Sequence, residues 1–222
     1  MQIVAGGTQT TRIKTRRACG VCLFALASMP AFADDSQFGL TISKLEHLFE
    51  DSVNVFEIEG TYGQDDSFVA MKVETAHISD EYDASEAQIF YSRALGSSVS
   101  GIIGARYLHT DLDDERSAMF GLTAEGPLGI NILMLALVGE SFSEGRLEFE
   151  RPFELSPRVE LLPKFEVRAF SNEFEFIGFE TRLAYATTER LDVYVGFVWE
   201  RIVGTPGDVN YQTALAGISY EW

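Results

Sequence analysis

Residues 159–168 read Val159-Glu160-Leu161-Leu162-Pro163-Lys164-Phe165-Glu166-Val167-Arg168. Val159, Leu161, Pro163, Phe165 and Val167 fall on one parity. Glu160, Leu162, Lys164, Glu166 and Arg168 fall on the other. Successive side chains of a strand point to opposite faces, so this segment has one greasy side and one charged side.

The same period of two recurs along the chain. Phe56, Ile58, Gly60 and Tyr62 oppose Val55, Glu57, Glu59 and Thr61. Val69, Met71 and Val73 oppose Ala70, Lys72 and Glu74. Ile103, Ala105 and Tyr107 oppose Ile102, Gly104 and Arg106. Leu147 and Phe149 oppose Arg146, Glu148 and Glu150, and Val193, Val195, Phe197 and Trp199 oppose Tyr194, Gly196, Val198 and Glu200.

Two folds give such alternation. A soluble sandwich or barrel buries the greasy faces. An outer-membrane barrel turns them to lipid and keeps its charges in the lumen. Three features favour the membrane barrel. Several segments run ten residues or more, the length a tilted membrane strand needs, whereas strands of soluble domains average about five or six. Tyr62, Tyr107, Tyr185, Trp199, Tyr220 and Trp222 sit on greasy faces near segment ends, where interfacial girdles lie. The C-terminus alternates Ala214, Ala216, Ile218, Tyr220 and Trp222 up to a final aromatic. Such an ending resembles the signal read by the outer-membrane insertion machinery.

Turn residues cluster near Glu50-Asp51, Gly63–Asp66, Ser79–Asp83, Gly96–Ser98, Asp111–Glu115, Pro127–Gly129, Ser141–Gly145, Leu155–Pro157, Ser171–Glu173, Thr187–Arg190 and Gly204–Asn210. Eleven turns predict an all-β, antiparallel transmembrane β-barrel of twelve strands with both termini on the periplasmic side. Ten is the alternative, because Ile130–Val138 is apolar on both faces. Pro163 removes a ladder hydrogen bond in mid-strand, for which a local bulge is the expected remedy.

Among 222 residues, 17 Lys and Arg face 34 Asp and Glu, a net charge of −17, which argues against a nucleic-acid partner. The chain opens with basic Arg12, Lys14, Arg16 and Arg17, an apolar run from Ala18 to Met29, and the small-x-small site Ala31-Phe32-Ala33. Residues 1–33 are therefore expected to be a cleaved export signal, and the apolar run is too short for a membrane span. Residues 34–38 form a short tail and 39–222 the barrel. Cleavage takes all four of those bases and both cysteines, Cys19 and Cys22, and leaves no thiolate site.

Leu45-Glu46, the stretch Ala87-Gln88-Ile89-Phe90-Tyr91-Ser92-Arg93, Gly104-Ala105-Arg106-Tyr107, Leu162-Pro163-Lys164-Phe165-Glu166 and Tyr194-Val195-Gly196-Phe197-Val198-Trp199-Glu200-Arg201 occur in that order. From Leu45 to Trp222 the chain resembles the copper resistance protein B family of bacterial outer-membrane barrels. The resemblance implies copper homeostasis in the outer membrane, by binding copper or aiding its passage, and other copper-resistance proteins as partners. Family members often carry a Met- and His-rich segment ahead of the barrel. No such segment stands between Ala33 and the first strand here, so copper ligands do not transfer by motif.

Imidazole and thioether are the side chains in this chain best suited to copper. The candidates are His47, His77 and His109, all near the extracellular ends of hairpins, and Met119, which has lumen parity. Met71 reads as lipid-facing. The expected lumen lining is Glu57, Glu59, Lys72, Glu74, Arg106, Glu125, Arg146, Glu148, Glu150, Arg158, Glu160, Lys164, Glu166, Arg168, Arg182 and Glu200. These charges either fill a narrow barrel with ion pairs or line a path that favours cations. No Gly-x-Ser-x-Gly nucleophile turn occurs, and no enzymatic activity is expected.

Overall fold

The computed structural model describes residues 37–222 apart from 51, 65, 79–81, 111–113, 141, 172–174 and 205–206. The predicted signal, and Asp111 and Asp113 of the acidic turn, lie outside the described residues.

The elements are β1 (Gln37–Leu48), β2 (Val53–Gln64), β3 (Ser67–Ile78), β4 (Tyr82–Ala94), β5 (Val99–Thr110), β6 (Asp114–Glu125), a 3-10 turn (Pro127–Gly129), β7 (Asn131–Gly139), β8 (Ser143–Glu150), β9 (Phe153–Ser156), β10 (Val159–Phe170), β11 (Glu175–Ala186), β12 (Leu191–Val203) and β13 (Val209–Glu221). Every neighbouring pair is antiparallel, and β13 returns to β1 to close the sheet. β8 and β9 both pair with β10 and occupy one position in the wall, so the barrel has twelve strands. The turns fall at the eleven predicted places. β1 starts at Gln37, so the last two residues of the expected tail belong to the wall.

Closure pairs both edges of each strand except the short β9, whose one partner is β10, and a bilayer demands such pairing because it offers no water to unpaired amides. The greasy parity faces outward. Ile103, Phe120, Val195 and Phe197 are exposed, whereas Glu57, Arg106, Glu144 and Glu166 on the opposite parity are buried.

The run of β7 that is apolar on both faces has a local cause. Met134 and Val138 face out, while Leu135 and Leu137 face in and pack with Met119 of β6 and Phe90 of β4. One side of the lumen is thus filled with hydrocarbon. A second inward apolar group, Ala184, Tyr194, Val198 and Leu215, sits under β11 to β13 with Leu48 and Leu162.

The bulge expected at Pro163 is not there. Pro163 pairs with Thr181 in unbroken register, and on its other side Lys164↔Glu150 and Leu161↔Phe153 share one register. The Arg151 amide donates to the Pro163 carbonyl at 3.3 Å. That bond is one of the two an antiparallel pair exchanges. The proline lacks the other donor, and the ladder is interrupted at Arg151–Pro152 between β8 and β9 instead. The register shift lies nearby, between Val159 and Glu160.

A further bulge occurs in β1. The register with β2 shifts between Ile42↔Ile58 and Lys44↔Glu57. Ser43 and Lys44 consequently both reach Glu57: the Ser43 hydroxyl donates to a Glu57 carboxylate oxygen at 2.5 Å and Lys44 Nζ lies 3.1 Å from the other. Re-aiming a side chain is what bulges in barrels do.

Candidate functional site: an ion-paired lumen with an acidic mouth

Inward-facing charges form three groups. The first centres on Glu57 of β2, which Lys72 of β3 meets at 2.8 Å and Lys44 of β1 at 3.1 Å; Lys44 also reaches Glu74 at 3.4 Å. Glu59 stands directly opposite Lys72 in register.

The second joins β1, β11 and β12. Glu46 accepts from the Tyr194 hydroxyl at 2.8 Å and from Arg182 at 2.6 Å, and Arg182 also pairs with Glu180. The Arg182 guanidinium lies 5.2 Å from the centre of the Tyr194 ring.

The third is the largest. Glu144 of β8, whose side chain is only 1% exposed, faces Arg106 at 3.1 Å, Arg146 at 2.9 Å and Arg168 at 3.9 Å. Arg106 also faces Glu86. Lys164 bridges to Glu148 at 2.8 Å, and Arg168 is paired with Glu166. Phe142 and Phe176 cover this group towards the end of the barrel away from the termini. Arg106 sits 5.5 Å from the centre of the first ring and Arg168 4.9 Å from the second. Charges removed from water need such partners, because an unpaired buried charge costs several kcal/mol.

At the end that carries the termini the pattern changes. A cavity of about 580 Å³ opens there, lined by Asp66, Ser98, Ser100, Thr123, Glu125, Asn131, Glu148 and Glu150 among others. Glu160 is directly opposite Glu154 in register. Among the described residues, Glu125, Glu150, Glu154 and Glu160 form no ion pair. The middle of the lumen is neutralised and this mouth carries uncompensated negative charge.

The sequence-predicted lumen residues on β2, β3, β5, β6, β8, β10, β11 and β12 share the parity of the buried charges. Arg158 lies in the turn before β10. Sequence reasoning missed Lys44 and Glu46, Glu86, Glu144 and Glu180. The bulge at Ser43 breaks the period of two in β1, and Glu144 was read as part of a turn.

The four copper candidates do not meet. His47, His77 and His109 have outward parity at the end away from the termini. The His47 Nδ1 lies 3.0 Å from the Asn54 side-chain oxygen, and the His109 Nδ1 lies 2.5 Å from Asp114. Met119 is inside the lumen, 2% exposed, within the hydrocarbon packing of Leu135 and Leu137. Among the described residues no group of three or more His, Cys, Asp or Glu is arranged to hold a metal ion.

Solved structures with the same architecture include the KdgM porin, with a TM-score of 0.54 and 11% identity over 84% of this chain and 99% of that one. The NanC porin aligns with a TM-score of 0.58 and 8% identity over 82% of this chain and 100% of that one. At such identities the likeness shows the fold alone: a closed, twelve-stranded outer-membrane barrel in contact with lipid. A search of curated proteins gave no match. The family described as copper resistance protein B precursor matches residues 37–216, nearly the whole barrel. The chain belongs to the copper resistance protein B family, and its place is the outer membrane.

Proposed function

We propose that this barrel serves copper homeostasis by drawing copper ions into its acidic mouth and aiding their passage across the outer membrane. The observation that carries the reading is the unpaired carboxylate lining of the terminal mouth, Glu125, Glu150, Glu154 and Glu160, in a chain of this family. Rings of carboxylates raise the local concentration of cations and repel anions. Carboxylates are hard ligands and hold copper less firmly than imidazole or thiolate does. A weak, exchanging interaction is what passage requires, since an ion must leave as well as enter. The paired middle, with the hydrocarbon of Met119, Leu135 and Leu137 beside it, restricts the path to small ions. Insertion through the C-terminal strand and cooperation with other copper-resistance proteins belong to the same reading.

The test is ion selectivity of the refolded barrel in planar bilayers under a salt gradient. The reading expects a cation-selective reversal potential that moves towards zero in a Glu125→Gln, Glu150→Gln, Glu160→Gln variant. An unselective or anion-selective wild type would overturn it. The competing reading, a general porin-like or structural barrel, is favoured by equal permeability to small neutral sugars and to cations.

A further inference from the structure

The inner wall formed by β8 and β10 changes charge with depth. From the mouth inward β8 presents Glu150, Glu148, Arg146 and Glu144. On the same wall β10 presents Glu160, Leu162, Lys164, Glu166 and Arg168. Lys164 is the first base met there. Directly opposite it stand Glu150 on β8 and Glu180 on β11. Its ammonium reaches Glu148 at 2.8 Å and lies 3.7 Å from Glu166. Glu148 lines the mouth cavity. A second cavity, only about 30 Å³, is lined by Lys164, Glu166, Glu180 and Glu200 among others. Lys164 thus stands between the acidic mouth and a further group of carboxylates.

Other inward bases are held more firmly or lie elsewhere. Arg106 and Arg146 are 4% and 10% exposed and grip the buried Glu144. Arg182 is held by Glu46 and Glu180 and lies against the Tyr194 ring. Lys44 and Lys72 converge on Glu57, which does not line the mouth cavity. Lys164 is 30% exposed and offers a single ammonium on a flexible stem rather than a rigid fork. If Glu148 is taken by another cation, Lys164 keeps Glu166. Its displacement therefore avoids the unpaired buried charge that makes the breaking of such pairs costly.

We propose that Lys164 is a tethered counter-ion that sets which cations pass: an ion entering the mouth reaches Glu148 by displacing the Lys164 ammonium, which moves to Glu166. A doubly charged ion competes with an ammonium for a carboxylate better than a singly charged ion does. The exchange therefore favours divalent copper over potassium. This role deepens the passage proposed above and presupposes it.

The test uses the whole refolded barrel in planar bilayers. Reversal potentials under a potassium chloride gradient give the preference for cation over anion. Copper(II) chloride on one side and potassium chloride on the other give the preference for copper over potassium. The wild type should prefer copper, and in Lys164→Gln that preference should fall about fivefold, the worth of a partly exposed ion pair. Lys72→Gln removes a base of similar exposure that is paired away from the mouth, and should keep the preference within about twofold. Lys164→Arg keeps the charge but grips Glu148 through two N–H groups, so its cation currents should fall below those of the wild type. No copper preference in a cation-selective wild type, an unchanged preference in Lys164→Gln, or an equal fall in Lys72→Gln overturns the role of Lys164 and leaves the passage standing. A wild type without cation selectivity overturns both. Heat-modifiable gel mobility confirms that each variant is a closed barrel. If Lys164→Gln does not close, Lys164→Arg decides: cation currents equal to those of the wild type or above them overturn the proposal.

Discussion

Tyr194 of β12 donates its hydroxyl to the buried carboxylate of Glu46 on β1 at 2.8 Å, reaching past β13 across the seam where the chain closes on itself. The ring can lie there because residue 217 of β13 is glycine. A Cβ at Gly217 would stand 2.6 Å from the Tyr194 oxygen and 2.7 Å from its ring carbons. A tyrosine laid over a glycine therefore ties the last strands to the first.

Two substitutions report on that tie. Tyr194→Phe leaves a buried carboxylate one donor short and should cost about 1.5–3 kcal/mol, the usual range for a hydrogen bond to a charged group. Gly217→Ala should displace the ring and be destabilising too. Gly145→Ala, with nothing within 4 Å of the added carbon, should be nearly neutral. Urea unfolding of the barrel in detergent, followed by gel mobility, orders the three.

Glu144 holds the largest effect among the ion pairs. Its neutralisation in Glu144→Gln leaves Arg106, Arg146 and Arg168 short of their shared counter-charge. The expected loss is about 3–5 kcal/mol, typical of breaking a buried pair from one side. Arg168→Gln should cost less, because that side chain is 30% exposed and Glu144 keeps two other partners. The same unfolding assay separates them.

The hydrocarbon side of the lumen predicts a change in conductance. Leu137 is 1% exposed and packs with Met119 and Leu135. Leu137→Ala should cost about 2–5 kcal/mol as a cavity and raise single-channel conductance by widening the path. An unchanged conductance would place the constriction at the ion-paired groups instead.

Histidines on the outer face are not part of the proposed path. A barrel with His47, His77 and His109 all replaced by alanine should keep copper tolerance within about twofold, because oriented surface imidazoles that do not converge bind copper weakly. Met119→Leu should be equally silent. A large loss in the histidine variant would move copper capture to the rim.

Much of this barrel was legible because period two, turn residues and rim aromatics are local properties. All eleven turns could be placed, and so could the inward parity of Glu57, Lys72, Arg106, Glu166 and Arg182. What escaped depends on neighbours distant in sequence. Lys44 points inward only because Ser43 is an extra residue in β1. Glu144 stands beside turn residues, and its burial comes from arginines on three strands. Strand β7 looks apolar on both faces because it packs hydrocarbon inside as well as out. The Pro163 problem was solved by its partner strand, where Arg151 and Pro152 interrupt the ladder between β8 and β9. The clustering of unpaired carboxylates at one mouth needed the closed sheet, since Glu125 and Glu160 are distant in sequence.

Copper tolerance of the host is the most direct measurement. A strain lacking this gene would be complemented with the wild type, or with the barrel carrying Glu125→Gln, Glu150→Gln and Glu160→Gln, at matched outer-membrane levels. Copper tolerance should be altered in the deletion strain, restored by the wild type and not by the neutralised mouth. Equal copper tolerance with either barrel would contradict it.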